Sequence, residues 1–112
     1  MTNDEIICGA LEPLGLPVAE DVYFGSEDDY IVYTLIHEAS AVQADDAEQE
    51  TKAEYYVILF TRQAPGPMKR QIKAALKAAG IGVDSVNPVS YEDGTSERHQ
   101  VAFDCFILNN ES

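Results

Sequence analysis

Three runs constrain this chain more than anything else in it: Tyr30 to Glu38 (YIVYTLIHE), Lys52 to Arg62 (KAEYYVILFTR) and Arg98 to Leu108 (RHQVAFDCFIL). Each is dense in β-branched and aromatic residues, which fit a pleated surface and lose side-chain freedom in a helix, so each reads as a strand. In the last run Val101, Phe103, Cys105 and Ile107 alternate with Gln100, Ala102, Asp104 and Phe106, the two-residue period of a strand with distinct faces. In the first, Ile31, Tyr33, Leu35 and His37 share one face and Tyr30, Val32, Thr34 and Ile36 the other. Both faces are largely apolar, so this strand is expected to be central or buried on both sides.

The remaining segments read as helices and shorter strands. Asn3 or Thr2 can cap a first helix, with Asp4 and Glu5 in the favourable first turn and Ile6, Ile7, Ala10, Leu11 and Leu14 at helical spacing. Gly15 ends it and Pro17 blocks continuation. Residues 21–25 (DVYFG) read as a short strand before a polar turn at 26–29. Pro65 and Pro67 punctuate the approach to a second helix from Met68 to Ala79, whose apolar face is Met68, Ile72, Ala75, Leu76 and Ala79, with Gly80 after it. Ile81 to Tyr91 is expected to be an edge strand, bent at Asn87 and Pro88, and residues 92–95 (EDGT) a turn. The order α-β-β-β-α-β-β predicts a two-layer α+β domain, with a mixed or mainly antiparallel sheet of four to five strands and two helices. At 112 residues the chain is expected to be one domain with one core. It contains no internal repeat, linker or low-complexity tract.

Charge is distributed unevenly. Residues 1–51 hold 13 of the 20 acids and no Lys or Arg, whereas residues 52–112 are neutral, so the whole net charge of −13 lies in the first half. Affinity for a nucleic-acid backbone or an anionic membrane needs clustered cations, so neither is expected. A secretory signal needs a basic start, and the first cation is Lys52. The longest apolar runs, such as Tyr55 to Phe60, are far shorter than the ~20 residues that span a bilayer. Cys8 and Cys105 have no CxxC spacing and lie among apolar residues, as buried free thiols do in a reducing compartment.

Signatures of chemistry are absent: the chain has no G-x-S-x-G, no G-x-G-x-x-G, no phosphate-cradling G-x-x-x-x-G-K and no H-E-x-x-H. His99 and Cys105 could be read as base and nucleophile, but a thiol in the middle of an apolar strand is inert. His37 reads as a core or edge histidine. No catalytic, cofactor or metal site is expected. Two charged segments stand out instead. Residues 39–51 (ASAVQADDAEQET) carry Asp45, Asp46, Glu48 and Glu50 in a stretch without Gly or Pro, too long for a tight hairpin turn. They read as a solvated acidic loop or a docking element, and they lack the loop glycine and acid spacing of a calcium hand. The second helix carries four of the seven cations, Lys69, Arg70, Lys73 and Lys77, with the three lysines at i, i+4 and i+8 on one face. That face is either an ordinary solvated surface or an electrostatic partner for an acidic surface on the same chain or on a second copy.

In order of elements and in particular runs, residues 3–108 resemble the tail-terminator (tail-completion) and head–tail joining proteins of long-tailed bacteriophages and prophages. The likeness lies in the opening helix ending at Leu14 to Pro17 (LGLP), residues 23–25 (YFG) leading to Tyr30 to Tyr33, and the polar loop before Tyr55 to Thr61. It continues in Ile72, Leu76 and Gly80-Ile81 at the end of the second helix, Tyr91 to Gly94, and His99 leading into Phe103 to Ile107. The resemblance implies a non-catalytic virion component, assembled in the bacterial cytoplasm without a cofactor. It implies a ring, usually a hexamer, that caps the tail tube and joins it to the head connector, with the tail-tube and connector proteins as partners. In such rings a long loop between strands is mobile before assembly, and residues 39–51 hold the matching position. Two other classes stay open from the residues alone: an acidic adaptor or DNA-mimic inhibitor of a nucleic-acid-binding protein, and a small ligand-binding or enzymatic α+β domain.

Overall fold

The computed structural model of the chain describes residues 2–40, 49–90 and 99–111. Its elements follow the order α-β-β-β-α-β-β and form a two-layer α+β fold. Helix α1 (Asn3–Leu11) starts at Thr2 through a reciprocal capping box: the Thr2 hydroxyl accepts from the Glu5 amide at 3.2 Å, and the Glu5 carboxylate accepts from the Thr2 amide at 3.1 Å. The apolar stripe continues past α1 through a 3-10 turn (Glu12–Leu14) containing Pro13, which Gly15 ends at φ 83°.

Strand β1 is Val18–Glu20, not the expected 21–25. Asp21 stops it by taking φ 63°, outside the extended region. Strands β2 (Tyr30–Ser40) and β3 (Gln49–Thr61) are both longer than the apolar runs alone indicate. The ends of the expected loop at 39–51 are therefore paired backbone, while residues 41–48 lie outside the described residues. Helix α2 (Gly66–Ala78) starts two residues before Met68, with Pro67 in its first turn, where a missing N–H is harmless. Gly80, at φ 82°, follows its end. Strands β4 (Gly82–Ser90) and β5 (His99–Glu111) complete the sheet, and the expected turn at residues 92–95 lies outside the described residues.

The strand order is β1-β2-β3-β5-β4. β1 and β2 run parallel and all other neighbours antiparallel, so the sheet is mixed and β4 is an edge, as expected. The irregularity in β4 falls between Val83 and Ser85, whereas Asn87 and Pro88 pair in regular register with Ala102 and Val101. A second irregularity, between Leu35 and His37 in β2, has larger consequences. An extra residue shifts every later side chain by one face. His37 therefore stands opposite Glu54 on the open face and is exposed, rather than sharing the face of Tyr33 and Leu35.

Both helices cover one face of the sheet. Ile7 and Leu11 of α1 and Ile72 and Leu76 of α2 are fully buried against Ile31, Val57, Leu59, Val101 and Phe103. Each of these side chains contributes about 1.5–3 kcal/mol by leaving water. Among the described residues no layer covers the other face, and β2 is not buried on both sides: Val32 is buried there, but Ile36 is exposed. The helical layer is also shorter than β2, β3 and β5: Leu35, on the helical face, is about half exposed, as are Ile36 and Leu108 on the open face.

Candidate functional site

The basic side chains of α2 follow from its helical period. Ile72 and Leu76 point into the core, which turns Lys69, Arg70, Lys73 and Lys77 outward, and all four are exposed. Among the described residues the ion pairs are Lys52 with Glu54 at 3.5 Å and Arg62 with Asp28 at 3.5 Å, and neither uses α2. The helix therefore presents a row of cations with no acid of its own chain against them among the described residues.

The acids of the first half divide into two sets. Asp45, Asp46 and Glu48 lie outside the described residues. Glu50 is in β3, its backbone opposite Asn110, so it belongs to a strand. The other acids gather around α1, β1 and the loop after β1. Asp4 repels Glu20 and holds the Glu20 carboxyl above its ordinary range. Asp29 is structural: its carboxylate accepts from the Thr61 hydroxyl at 2.9 Å and from the Arg62 amide at 3.1 Å, tying the loop to the end of β3. Asp21 likewise accepts from the Thr34 hydroxyl. Glu27 and Asp28 remain at the surface.

Between those acids lies an exposed aromatic residue that the strand expectation for residues 21–25 concealed. Phe24 is 92% exposed. Its neighbours are fixed: the Tyr23 ring stacks on Tyr30 at 4.3 Å, Tyr30 stacks on Phe60 at 4.7 Å, and the Tyr23 hydroxyl accepts from the Glu27 amide at 3.3 Å. Gly25 lies against the Tyr23 ring, where a β-carbon would overlap it. The signal for this loop in the sequence is an aromatic pair followed by glycine and four polar residues (YFGSEDD).

Several concave surfaces occur among the described residues. One lies between the helices, lined by Ile6, Ala10, Pro13, Ala75, Ala78 and Ala79, with Glu5 at its rim. A second, on the open face, is lined by Ile36, Glu54, Tyr56, Asp84 and Asp104. No group of three or more potential metal ligands occurs among the described residues. The two thiols are free. Cys8 donates to the Tyr33 hydroxyl at 3.7 Å, while burial, reinforced by Asp104 and Asp84, pushes the Cys105 thiol up to about 12, which leaves it protonated and unreactive. His99 pairs with Thr61 and Ser90 at the start of β5, six residues from Cys105, so the two form no catalytic couple.

No family model matches the chain, and no curated protein matches it. Its fold is similar to that of a chain in a solved structure, the virion of a native gene transfer agent (GTA) particle. That match has a TM-score of 0.59 and 14% sequence identity, and it covers 97% of this chain and 87% of the other.

Proposed function

We propose that the chain is a structural component of a phage-like virion, and that it acts as a tail terminator or head–tail joining protein. It assembles as a ring, a hexamer in the family it resembles, that caps the tail tube and joins it to the head connector. The observation that carries this reading is the shared fold over nearly the whole chain with a component of a GTA particle virion. The runs from Leu14 to Ile107 point to the same class independently. The reading requires no catalysis and no cofactor. Its partners are further copies of itself, the tail-tube protein and the connector protein, and the chain is a virion component assembled in the host cytoplasm.

The charge distribution suits this role. A conduit for DNA must not grip phosphates, and an acidic surface lacking cations repels them. In this reading Asp45, Asp46, Glu48 and Glu50 belong to a segment that contacts a partner or faces the lumen, and Lys69, Arg70, Lys73 and Lys77 serve contacts between subunits.

Electron microscopy of the purified protein tests the reading, together with binding to tail-tube and connector proteins at low salt. Rings or partner complexes are expected. A protein that stays monomeric and binds neither partner overturns the proposal. Competition with DNA for a basic protein, without rings, is the result that an inhibitor acting as a DNA mimic would give.

A further inference from the structure

We propose that the lysine flank of α2 on one copy of this chain docks against the acidic edge that α1 and β1 form on a second copy, so that copies join edge to edge across the sheet. This inference rests on the assembly reading above and identifies what the cations of α2 meet. Three observations lead to it.

The first is where the cations point. α2 turns Ala75, Ala78 and Ala79 toward α1, across the cleft between the helices. Helical spacing puts Lys69, Lys73 and Lys77 on the opposite flank, and all three are exposed. α2 is the helix that packs beside β4: the Ile81 amide donates to the Leu76 carbonyl at 3.0 Å, and Ile81 leads directly into that strand. β4 is an edge of the sheet, so the lysine flank looks out past that edge. Asp84, the acid of β4, lines the hollow on the open face with Glu54 and Asp104 instead.

The second is the character of the other edge. β1 stands at the opposite end of the strand order, and α1 lies over that side: Cys8 donates to the Tyr33 hydroxyl of β2 at 3.7 Å, and Asp4 faces Glu20 of β1. Asp4, Glu20 and Asp21 are exposed, and the ion pairs of the described residues use none of them. Repulsion by Asp4, and less strongly by Asp21, holds the Glu20 carboxyl above its ordinary range, which shows carboxylates crowded together without a cation to relieve them. A lysine brought against this edge removes that repulsion. Val22, next to Asp21, is 53% exposed and offers apolar surface that a lysine stem can cover.

The third is that the two surfaces cannot meet within one molecule. Four inter-strand spacings, about 19 Å, separate β1 from β4, and the lysines face away from α1. Each surface therefore finds its complement only on a second copy. Such a contact is heterologous and repeats from copy to copy, closing into a ring if the rotation permits. The opposite charges steer copies into this orientation and reject pairings that bring two acidic or two basic edges together.

The test uses the full chain and two charge-reversed variants at exposed positions, with circular dichroism to verify folding. Lys69→Glu/Lys73→Glu/Lys77→Glu reverses the flank. Asp4→Lys/Glu20→Lys reverses the edge, and Glu20→Lys alone replaces it if Asp4→Lys disturbs the start of α1. By sedimentation velocity at low salt, each variant alone is expected to self-associate about a hundredfold more weakly than the parent, because like charges now face each other. Mixed in equal amounts, the two variants should recover most of that loss as alternating copies, since every contact then joins opposite charges. A flank variant that assembles as well as the parent overturns the contact, and so does a mixture that stays as weak as its components; the assembly reading survives both results. A parent that stays monomeric also overturns the contact, and the assembly reading then rests on binding to the tail-tube and connector proteins. Such binding by a monomeric parent, lost in the flank variant, would assign the lysines to that partner instead.

Discussion

Gly82 and Phe106 are cross-strand partners, and the Phe106 ring lies over the glycine where a side chain would otherwise stand. The ring covers backbone that glycine leaves bare, and Lys52 sits over the same ring with its Nζ 4.8 Å from the centroid. Gly82→Ala must displace the ring, at an expected cost of about 1–3 kcal/mol in urea unfolding. In a Phe106→Ala background the same substitution should cost much less. Equal costs in the two backgrounds would mean that the ring is not what excludes the methyl group.

Phe103 stands opposite Val57 at the centre of the sheet, and both are fully buried. Phe103→Ala should destabilise the chain by about 3–5 kcal/mol, and Leu76→Ala, which opens the same core from the helical side, by about 2–5 kcal/mol. Equilibrium unfolding checks both values. A loss under 1 kcal/mol at either site would mean that the core collapses around the gap.

The two thiols should differ in reactivity. Cys8 is partly exposed and Cys105 is buried with its thiol pushed up to about 12. An alkylating reagent at neutral pH is expected to modify one thiol per folded chain, at Cys8, and the second only after unfolding. Mass spectrometry of the labelled peptides identifies which. Modification of Cys105 at the rate of Cys8 would show that β5 opens readily.

Stability should fall in alkali. Burial raises Tyr33 and Tyr55 above the ordinary tyrosine value of 10.0 and Cys105 above the ordinary thiol value of 9.0. These groups stay neutral in the folded chain at a pH where the unfolded chain already ionises. Their contribution is thus complete below about pH 9 and is lost as pH rises past the unfolded values. Tyr33→Phe should flatten the decline above pH 10, measured by the urea midpoint at successive pH values. A profile parallel to that of the parent would remove Tyr33 from the account.

Removing the first cap should loosen α1 alone. Thr2→Ala deletes the oxygen that accepts from the Glu5 amide, at an expected cost of about 1 kcal/mol. Thr2→Ser keeps that oxygen and should restore most of the loss. Helical signal and thermal midpoint report both.

Most of the architecture was legible in the sequence because it follows from periodicity. The alternation of Val101, Phe103, Cys105 and Ile107 against their polar neighbours gives β5, and Ile72 with Leu76 gives α2, since in both cases the apolar period is the buried face. The misreadings came where backbone geometry overrides composition. The segment after Pro17 pairs because Ile31 donates to the Pro17 carbonyl at 2.9 Å, so β1 falls at Val18–Glu20, and Asp21 at φ 63° diverts the more strand-like residues that follow. The shift at Ile36 is invisible to a two-residue period, and it moves His37 to the other face. The cations of α2 were legible as an exposed row because helical spacing alone puts them opposite the core. Phe24 was not, since an exposed aromatic and a buried one have the same letter, and only the stack beneath Tyr23 tells them apart.

The mismatch in length between the sheet and its helical layer divides β3 into two kinetic regimes. At Val57 and Leu59 the strand is sealed under Ile72 and Leu76, and its amides should exchange with deuterium only through global unfolding. Beyond the buried Ala53, Thr51 and Lys52 are only partly covered, and exchange there should proceed through local fraying at a smaller free energy. One continuous strand would thus hold both slowly and rapidly exchanging amides, and a partner that seats on its partly covered end would reveal itself by slowing that end alone.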